Sequence, residues 1–254
     1  MLARVRQVGL VLVPLLAWEL LARVGPWPRW LFPDPLAVVR SIAVMAADGR
    51  LGAAVLRSLS RLVQGFAISA LLGVPLGILM GRSALALRTL RPAVLGLQAL
   101  PSICWLPLAL LWFGLSETAI LFVVVMGSML AIAIATEDGV AAVDPLLLRA
   151  AGTLGIRGLR FHAGVLLPAA FPGVLTGLKL GWSFAWRALM SGELLFVAGG
   201  LGQLLTQGRE VLDAAQVMGV MVCIIAVGLL VDQGLFRFLE LRVRRRWGLV
   251  EEPA

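Results

Sequence analysis

The sequence predicts an all-α protein that crosses a membrane about six times. Hydrophobic residues make up 60% of its 254 residues and charged residues only 14%, and the mean hydropathy is +0.97. The hydrophobic residues fall in runs of about 20, the length that a helix needs to cross the hydrocarbon core. Because backbone polar groups in lipid must bond within the protein, we expect these runs to be α-helical.

Six apolar runs supply the predicted spans. They lie at about residues 8–24, 58–81, 92–114, 118–135, 172–195 and 214–236. We expect the first to be an uncleaved span, because no convincing small-residue cleavage site follows it. The third contains Pro101 and Pro107, each of which removes a backbone hydrogen-bond donor. This run is expected either to line a cavity or to be a kinked core helix.

Small residues recur at every fourth position in the second run. They are Gly65, Ser69, Gly73, Gly77 and Gly81. Residues four apart share one face of a helix, and small side chains let a neighbouring helix approach closely. We therefore expect this face to pack tightly and to have no direct chemical role.

Two polar intervals are expected on the outer side. Residues 25–57 include Trp27 and Trp30, which suit a membrane interface. They also include Asp34-Pro35, which is typical of a helix start and predicts an amphipathic helix on the outer surface. Residues 199–210 are expected to form an external loop.

The charge pattern favours membrane orientation over nucleic-acid binding. The net charge is +8, and Lys179 is the only lysine. The arginines flank the apolar runs and do not form a patch with aromatic residues. Most of them share one side if both termini are cytoplasmic, as the positive-inside rule requires, although residues 25–57 carry four arginines. Cys104 and Cys223 lie in apolar runs, are expected to be buried, and show no disulfide or metal spacing.

The interval 149–168 contains the most specific motif in the chain. The alanine pair Ala150-Ala151 is followed after three residues by Gly155, after nine more by Val165, and finally by Leu167-Pro168. We expect a short helix, a break at Gly155 in a conformation that favours glycine, and a second basic turn that runs into the next span.

This spacing resembles the EAA loop of binding-protein-dependent ABC importer permeases, whose pattern is E-A-A-x3-G-x9-I-x-L-P. Arg149 stands where the family usually has Glu, and Val165 replaces the Ile. In the family this loop is the coupling helix that docks in a groove of the ATPase subunit. The resemblance therefore implies a type I (MetI-like) permease fold. The residues to which it assigns ATPase coupling are Arg149, Ala150, Ala151, Gly155, Arg157, Arg160, Leu167 and Pro168.

The third and fifth runs hold the candidate residues of the translocation pathway. The third resembles the nitrate, sulfonate and taurine branch of these permeases, which carries a similar Pro-x-x-x-Trp-x-Pro and LWFG sequence. The fifth contains Arg187, and a charge at mid-bilayer costs about 2.5–3.5 kcal/mol unless it faces the protein interior or water. Either Arg187 attracts an anion in the pathway, or it is neutralised by an acid such as Glu193 on a neighbouring helix or on the partner subunit. The candidates are Gln98, Ser102, Trp105, Ser183, Trp186, Arg187 and Glu193.

Three regions are expected along the chain. Residues 1–57 are expected to form an N-terminal helix and an external amphipathic segment. Residues 58–247 are expected to form the core permease domain, which includes the coupling loop at 144–168. Residues 248–254 are expected to form a cytoplasmic tail.

The resemblance implies a permease subunit of an ATP-driven importer in the bacterial inner membrane. Its implied partners are a second copy of itself, two ATPase subunits, and a periplasmic or lipid-anchored binding protein. The chain has no Gly-x4-Gly-Lys-Ser/Thr loop, so we expect ATP and Mg²⁺ on the ATPase subunits and no cofactor or metal on this chain. The expected solute is a small oxyanion of the alkanesulfonate, taurine, nitrate or bicarbonate type.

Other functions stay open at this point. The same machinery could import an organic base such as a thiamine or riboflavin precursor. An ion channel would have no need of the alanine–glycine loop. A membrane-embedded enzyme would need convergent acids, histidines or nucleophiles, and the only histidine, His162, lies in the coupling loop.

Overall fold

The structure, a computed structural model, describes the backbone of residues 2–195, 199–238 and 242–243. It describes the side chains of the same residues except 2–11 and 235. This part of the chain is helical and contains no β-strand, which confirms the all-α prediction. The predicted tail at 248–254 lies outside the described residues.

The helices follow one another with short connections. They are α1 (Leu2–Val24), α2 (Pro35–Ala47), α3 (Arg50–Arg82), α4 (Ala84–Gln98), α5 (Leu106–Phe113), α6 (Glu117–Ala141), α7 (Pro145–Thr153), α8 (Gly158–Phe161), α9 (Leu167–Leu195), α10 (Leu201–Glu210) and α11 (Ala214–Val231). A 3₁₀ turn at Ser102–Trp105 precedes α5, and π-helical turns at His162–Leu166 and Asp232–Phe236 precede α9 and follow α11.

Within the described residues, four helical stretches are long and apolar enough to cross a membrane. They are Arg50–Arg82, Glu117–Ala141, Gly158–Leu195 and Ala214–Gly234, and each contains or overlaps a predicted span. A bent pair of helices would make a fifth span if it is counted as one. The first predicted span falls on α1, where the side chains up to residue 11 are outside the described set, so that span stays a prediction.

The prediction that the third span is one kinked helix is wrong, because the structure has two separate helical stretches there. Helix α4 ends at Gln98, the next helical residue is Ser102, and the two helical stretches are bent by 97°. Pro101 has no N–H to donate and disfavours helical geometry at the residue before it, so the helix stops there. Helix α4 also begins earlier than expected, where the hydroxyl of Ser83 accepts a hydrogen bond from the Ala86 N–H at 3.2 Å.

The chain forms two compact units. The first comprises Met1–Ser58 and Val197–Val227, and the second comprises Leu59–Phe196 and Gly228–Ala254. In the first unit, α2 begins as predicted, with Pro35 in its first turn and Asp34 Oδ1 accepting from the Ala37 N–H at 2.7 Å. Val38 and Met45 of α2 are buried, and Gly219 of α11 lies against them.

The prediction of a loop at 199–210 is wrong. Residues 201–210 form α10, whose Leu201 and Leu204 are buried. Two hydrogen bonds within the first unit hold this helix. The Leu201 N–H donates to Ser58 Oγ at 2.9 Å, and Gln216 Nε2 donates to the Leu204 carbonyl at 2.9 Å.

Helix α6 is the central helix of the second unit, and half of its most apolar stretch is buried. The small-residue face of α3 packs on it, which confirms the predicted close packing. A Cβ atom built on Gly73 would lie 2.7 Å from the Met129 carbonyl oxygen, and one on Gly81 would lie 2.7 Å from a methyl of Val140. Ser128 Oγ of α6 donates to Ser69 Oγ of α3 at 2.7 Å.

An adjacent face of α6 packs on α9 through glycines as well. A Cβ on Gly139 would lie 2.9 Å from the Cα of Gly173, and one on Gly177 would lie 2.9 Å from the Cβ of Ala135. Such contacts place helix backbones close together, so α6 and α9 are expected to move as one body.

Candidate functional site

The first candidate site is the coupling segment, residues 144–168, which connects α6 to α9. It begins at Asp144, whose Oδ1 accepts from the Leu146 N–H at 2.7 Å and caps α7. Helix α7 ends in two backbone bonds, from the Gly155 N–H to the Gly152 carbonyl at 3.1 Å and from the Ile156 N–H to the Ala151 carbonyl at 3.0 Å. This is a Schellman ending, and Gly155 has the left-handed φ of 73° that it requires. The predicted helix and the break at Gly155 are therefore present.

The base of the coupling segment is fixed to the helices on either side. Leu166 is fully buried in a cluster with Val140, Ala170 and Val174. The guanidinium of Arg82, at the end of α3, lies 5.2 Å from the ring centroid of Phe161 in α8. A displacement of this segment would therefore be transmitted to α3, α6 and α9.

The tip of the coupling segment is exposed and partly apolar. Leu154 and Leu159 are 77% and 83% exposed. Outside a membrane, neighbouring exposed leucines of this kind indicate a protein contact. A Cβ on Gly152 or Gly155 would meet nothing within 4 Å, so a partner could approach this backbone closely.

The predicted coupling residues do not all face the same way. Ala151 is buried and Leu167 is half-buried, so these two hold the segment in place. The others are exposed: Arg149, Ala150, Gly155, Arg157, Arg160 and Pro168. His162 is also exposed, and its Nδ1 lies 2.9 Å from the Gly158 carbonyl.

The second candidate site is a cavity of about 270 Å³ in the second unit, at the break between α4 and the 3₁₀ turn. The structure brings three of the predicted pathway residues together on its wall: Gln98, Ser102 and Arg187. The rest of the wall is apolar or small: Leu97, Ala99, Leu100, Pro101, Met126, Gly127 and Phe184. The sharp bend at Pro101 makes this arrangement possible, because it brings the end of α4 to the face of α9 that carries Arg187.

Arg187 is exposed and is held by its own helix. Its guanidinium lies 4.5 Å from the ring centroid of Phe184, and its Nε donates to the Ser183 carbonyl at 3.2 Å. The ion pairs found among the described residues do not include Arg187. The pairing with Glu193 considered from sequence is therefore not formed within this chain.

The other predicted pathway residues lie away from the cavity wall. Trp105 packs edge-on against Phe122, with ring centroids 6.2 Å apart. Ser183 donates to the Lys179 carbonyl, and Trp186 lies beside Gly228. Glu193 bonds to Arg61. The structure thus separates the seven candidates into three at the cavity and four elsewhere.

An ion-pair cluster that was not predicted from the sequence lies at the opposite end of α6 from the coupling segment. Arg61 of α3 donates from Nη1 to Glu193 of α9 at 2.8 Å, and from Nε and Nη2 to Glu117 of α6 at 2.6 Å each. The side chains of Arg61 and Glu193 are 6% and 1% exposed, and that of Glu117 is 60% exposed. An arginine inside an apolar run requires an acidic partner, and that signal could have drawn attention to Arg61.

The two cysteines differ from the prediction. Cys104 is exposed and Cys223 is half-buried, and both are free thiols. Cys104 lies two residues after the cavity residue Ser102, in the same 3₁₀ turn.

Comparison with known proteins agrees with these features. Residues 73–245 match the family described as the binding-protein-dependent transport system inner membrane component. A putative aliphatic sulfonates transport permease protein, SsuC of Escherichia coli, is 31% identical over 89% of this chain and 84% of its own length. The taurine transport system permease protein TauC of Escherichia coli is 28% identical over 96% of this chain and 90% of its own length.

Among solved structures, a chain of the MetNI methionine ABC transporter in an inward-facing conformation has a TM-score of 0.66 and 21% identity. The match covers 78% of this chain and 95% of that chain, and it shows the type I importer permease fold. The protein is therefore a membrane-spanning transport component. It belongs to the family of inner membrane components of binding-protein-dependent transport systems, the permease subunits of ABC importers.

Proposed function

We propose that two copies of this chain form the translocation pathway of an ATP-driven importer for a small oxyanion. Two ATPase subunits would bind the two coupling segments, and a separate binding protein would deliver the solute from outside. The observation that carries the coupling role is the geometry of residues 144–168, a segment with an exposed apolar tip and a buried base.

Energy would reach the pathway from the partner subunits. The sequence has no phosphate-binding Gly-x4-Gly-Lys-Ser/Thr loop, so we assign ATP and Mg²⁺ to the ATPase subunits. Closure of the ATPase dimer would draw the two coupling segments together. Because α9 continues from the coupling segment and packs on α6 through glycine contacts, this movement would tilt α6 and α9 as a pair.

The orientation follows from the same proposal. The coupling segment must face the cytoplasm to meet an ATPase, and this places both termini and most arginines on that side, as the positive-inside rule requires. The Arg61 cluster, at the other end of α6, would then lie on the outer side, about 36 Å away along a helix of this length.

The oxyanion class is supported by two observations. SsuC and TauC, named for aliphatic sulfonates and for taurine, align with almost the whole chain. The cavity in the second unit has Arg187 as its cationic group, and a guanidinium binds planar or tetrahedral oxyanions through two parallel hydrogen bonds.

Co-purification tests the coupling role. We expect the chain, produced together with its ATPase subunit, to retain that subunit in detergent. Leu154→Asp with Leu159→Asp should abolish retention and leave thermal stability unchanged, because both side chains are largely exposed. Leu115→Asp, a similarly exposed position next to the start of α6, should retain the ATPase. Equal retention by the double variant and the control would contradict the proposed contact.

A further inference from the structure

The cavity beside Arg187 has a chemistry that narrows the class of solute. One end carries the guanidinium of Arg187, which lies over the Phe184 ring. The hydrogen bond from its Nε to the Ser183 carbonyl fixes its orientation. No carboxylate is among the residues that line this cavity. Much of the remaining surface is hydrocarbon from Leu97, Leu100 and Met126, which we call the apolar wall.

Gln98 adds a second and independent observation. Its Oε1 is buried and has no hydrogen-bond partner among the described residues. A buried amide without a partner costs about 1–3 kcal/mol, so such a group is usually satisfied by water or by a ligand. Because Oε1 itself has almost no accessible surface, a ligand in the cavity can bond to the Gln98 amide through Nε2, or through Oε1 after a change of rotamer.

An inorganic anion would use only part of this cavity. Nitrate or bicarbonate would pair with Arg187 but would leave the apolar wall in contact with water. An oxyanion carried on a short carbon chain would also cover the wall, and each methylene removed from water strengthens binding by about fourfold when it is fully buried.

Resting on the proposed import of an oxyanion, we infer that this cavity binds an organic oxyanion of the sulfonate type as it passes through the membrane. The headgroup would pair with Arg187, the carbon chain would lie on the apolar wall, and Gln98 and Ser102 would bond to polar atoms of the headgroup or of a substituent. Substituted sulfonates such as taurine and unsubstituted alkanesulfonates share this chemistry.

The test measures binding at the cavity without the selectivity of the binding protein. Ala99 lines the cavity, is exposed, and tolerates a change as small as Ala99→Cys. The reporter would be placed in a chain with Cys104→Ser and Cys223→Ser, in complex with the ATPase subunits in lipid nanodiscs. The rate of reaction with N-ethylmaleimide would be followed against methanesulfonate, ethanesulfonate, butanesulfonate, octanesulfonate, taurine, nitrate and bicarbonate.

We expect the half-protecting concentration to fall about two- to fourfold per methylene from methanesulfonate to butanesulfonate. The gain per methylene should shrink towards octanesulfonate, because its chain and headgroup together approach the volume of the cavity, about 270 Å³. Stronger protection by taurine than by ethanesulfonate would show that Gln98 or Ser102 binds the amino group. Weaker protection by taurine would show that the cavity prefers unsubstituted alkanesulfonates. Protection independent of chain length, or equal protection by nitrate, would overturn the inference.

Matched variants locate the headgroup. Arg187→Gln should weaken protection by butanesulfonate by about tenfold or more, because it removes a charge-assisted bond. Arg187→Lys keeps the charge and loses the fork, so it should weaken protection to an intermediate extent. Arg88→Gln, an exposed arginine of α4 outside the cavity, should leave protection unchanged. Full protection in Arg187→Gln would overturn the inference, as would loss of the ATPase subunit from both Arg187 variants, which would show that Arg187 is an assembly contact.

Different results would contradict this inference and the proposed function. If the complex assembles and imports its solute under ATP while chain length has no effect on labelling, only the organic-anion site is wrong. If the ATPase subunit does not bind at all, the proposed function is wrong.

Discussion

Arg61 holds two carboxylates from different helices in one cluster. Its Nη1 bonds to Glu193, and its Nε and Nη2 form a two-pronged contact with Glu117. The pair with Glu193 is almost fully buried, whereas Glu117 is largely in contact with solvent. Removing one partner of a buried ion pair costs about 3–5 kcal/mol, because the remaining charge loses its compensation. Arg61 is therefore expected to fix the positions of α3, α6 and α9 at this end of the unit.

This arrangement predicts a large effect of Arg61→Leu on stability. Without the guanidinium, the buried carboxylate of Glu193 loses its compensating charge, so the variant should unfold at a clearly lower temperature in detergent. Arg61→Leu combined with Glu193→Leu should recover part of the loss, because it removes the uncompensated charge as well. Thermal unfolding, followed by the fluorescence of a thiol-reactive dye or by loss of monodisperse protein, measures both.

Arg57 supplies the control on the same helix. It lies one turn before Arg61 and is exposed. Arg57→Leu should therefore change the unfolding temperature much less than Arg61→Leu. If the two variants were equally stable, the cluster would have no structural role.

At the scale of elements, α6 holds the second unit together through two faces of close contact. Small residues of α3 meet one face, and glycines of α9 meet the other. Without a hydrophobic driving force between helices in lipid, close van der Waals packing of this kind is a main source of association. A larger side chain at any of these positions would therefore collide with the neighbouring helix.

Gly77→Val tests the contact between α3 and α6. A Cβ at Gly77 would collide with the Ala133 carbonyl oxygen and with Thr136, and the former is backbone that cannot move aside. We expect poor yield of folded protein and a loss of stability of about 1–3 kcal/mol or more, as for overpacked cores. Gly52→Val is the matched control, since a Cβ at Gly52 in the same helix meets nothing within 4 Å. Normal yield and stability of Gly77→Val would contradict the close packing.

Local patterns made several of these elements predictable from sequence. The four-residue repeat from Gly65 to Gly81 depends only on helix periodicity, and the ending of α7 depends on Gly155 and its neighbours. Asp34-Pro35 predicted the start of α2 for the same reason. In each case, the residues that determine the structure are close together along the chain.

Contacts between distant residues could not be derived in the same way. Arg61 bonds to residues 56 and 132 positions away, and no local pattern selects those partners. Pro101 indicated a break in the third span, but the 97° bend depends on how both halves pack on α6 and α9. For α10, a sequence with two glycines and a glutamine suggested a loop, whereas burial of Leu201 and Leu204 stabilises a helix.

On the scale of the whole molecule, the proposed coupling role requires that residues 144–168 face the cytoplasm and contact the ATPase subunit. Gly152 suits a direct measurement, because it lies in α7 on the exposed surface and has open space for a side chain. A cysteine there should neither strain the backbone nor collide with the chain. The substitution would be made with Cys104→Ser and Cys223→Ser, so that Gly152→Cys is the single thiol of this chain.

The most direct measurement is site-specific labelling and cross-linking of this Gly152→Cys chain in cells that also produce the ATPase subunit. We predict that a membrane-impermeant maleimide does not label it in intact cells and labels it after the membrane is opened. We also predict that a short bifunctional maleimide joins it to a cysteine in the ATPase groove, with a yield that changes when ATP is added. Labelling from outside intact cells, or the absence of any cross-link to the ATPase subunit, would contradict the account.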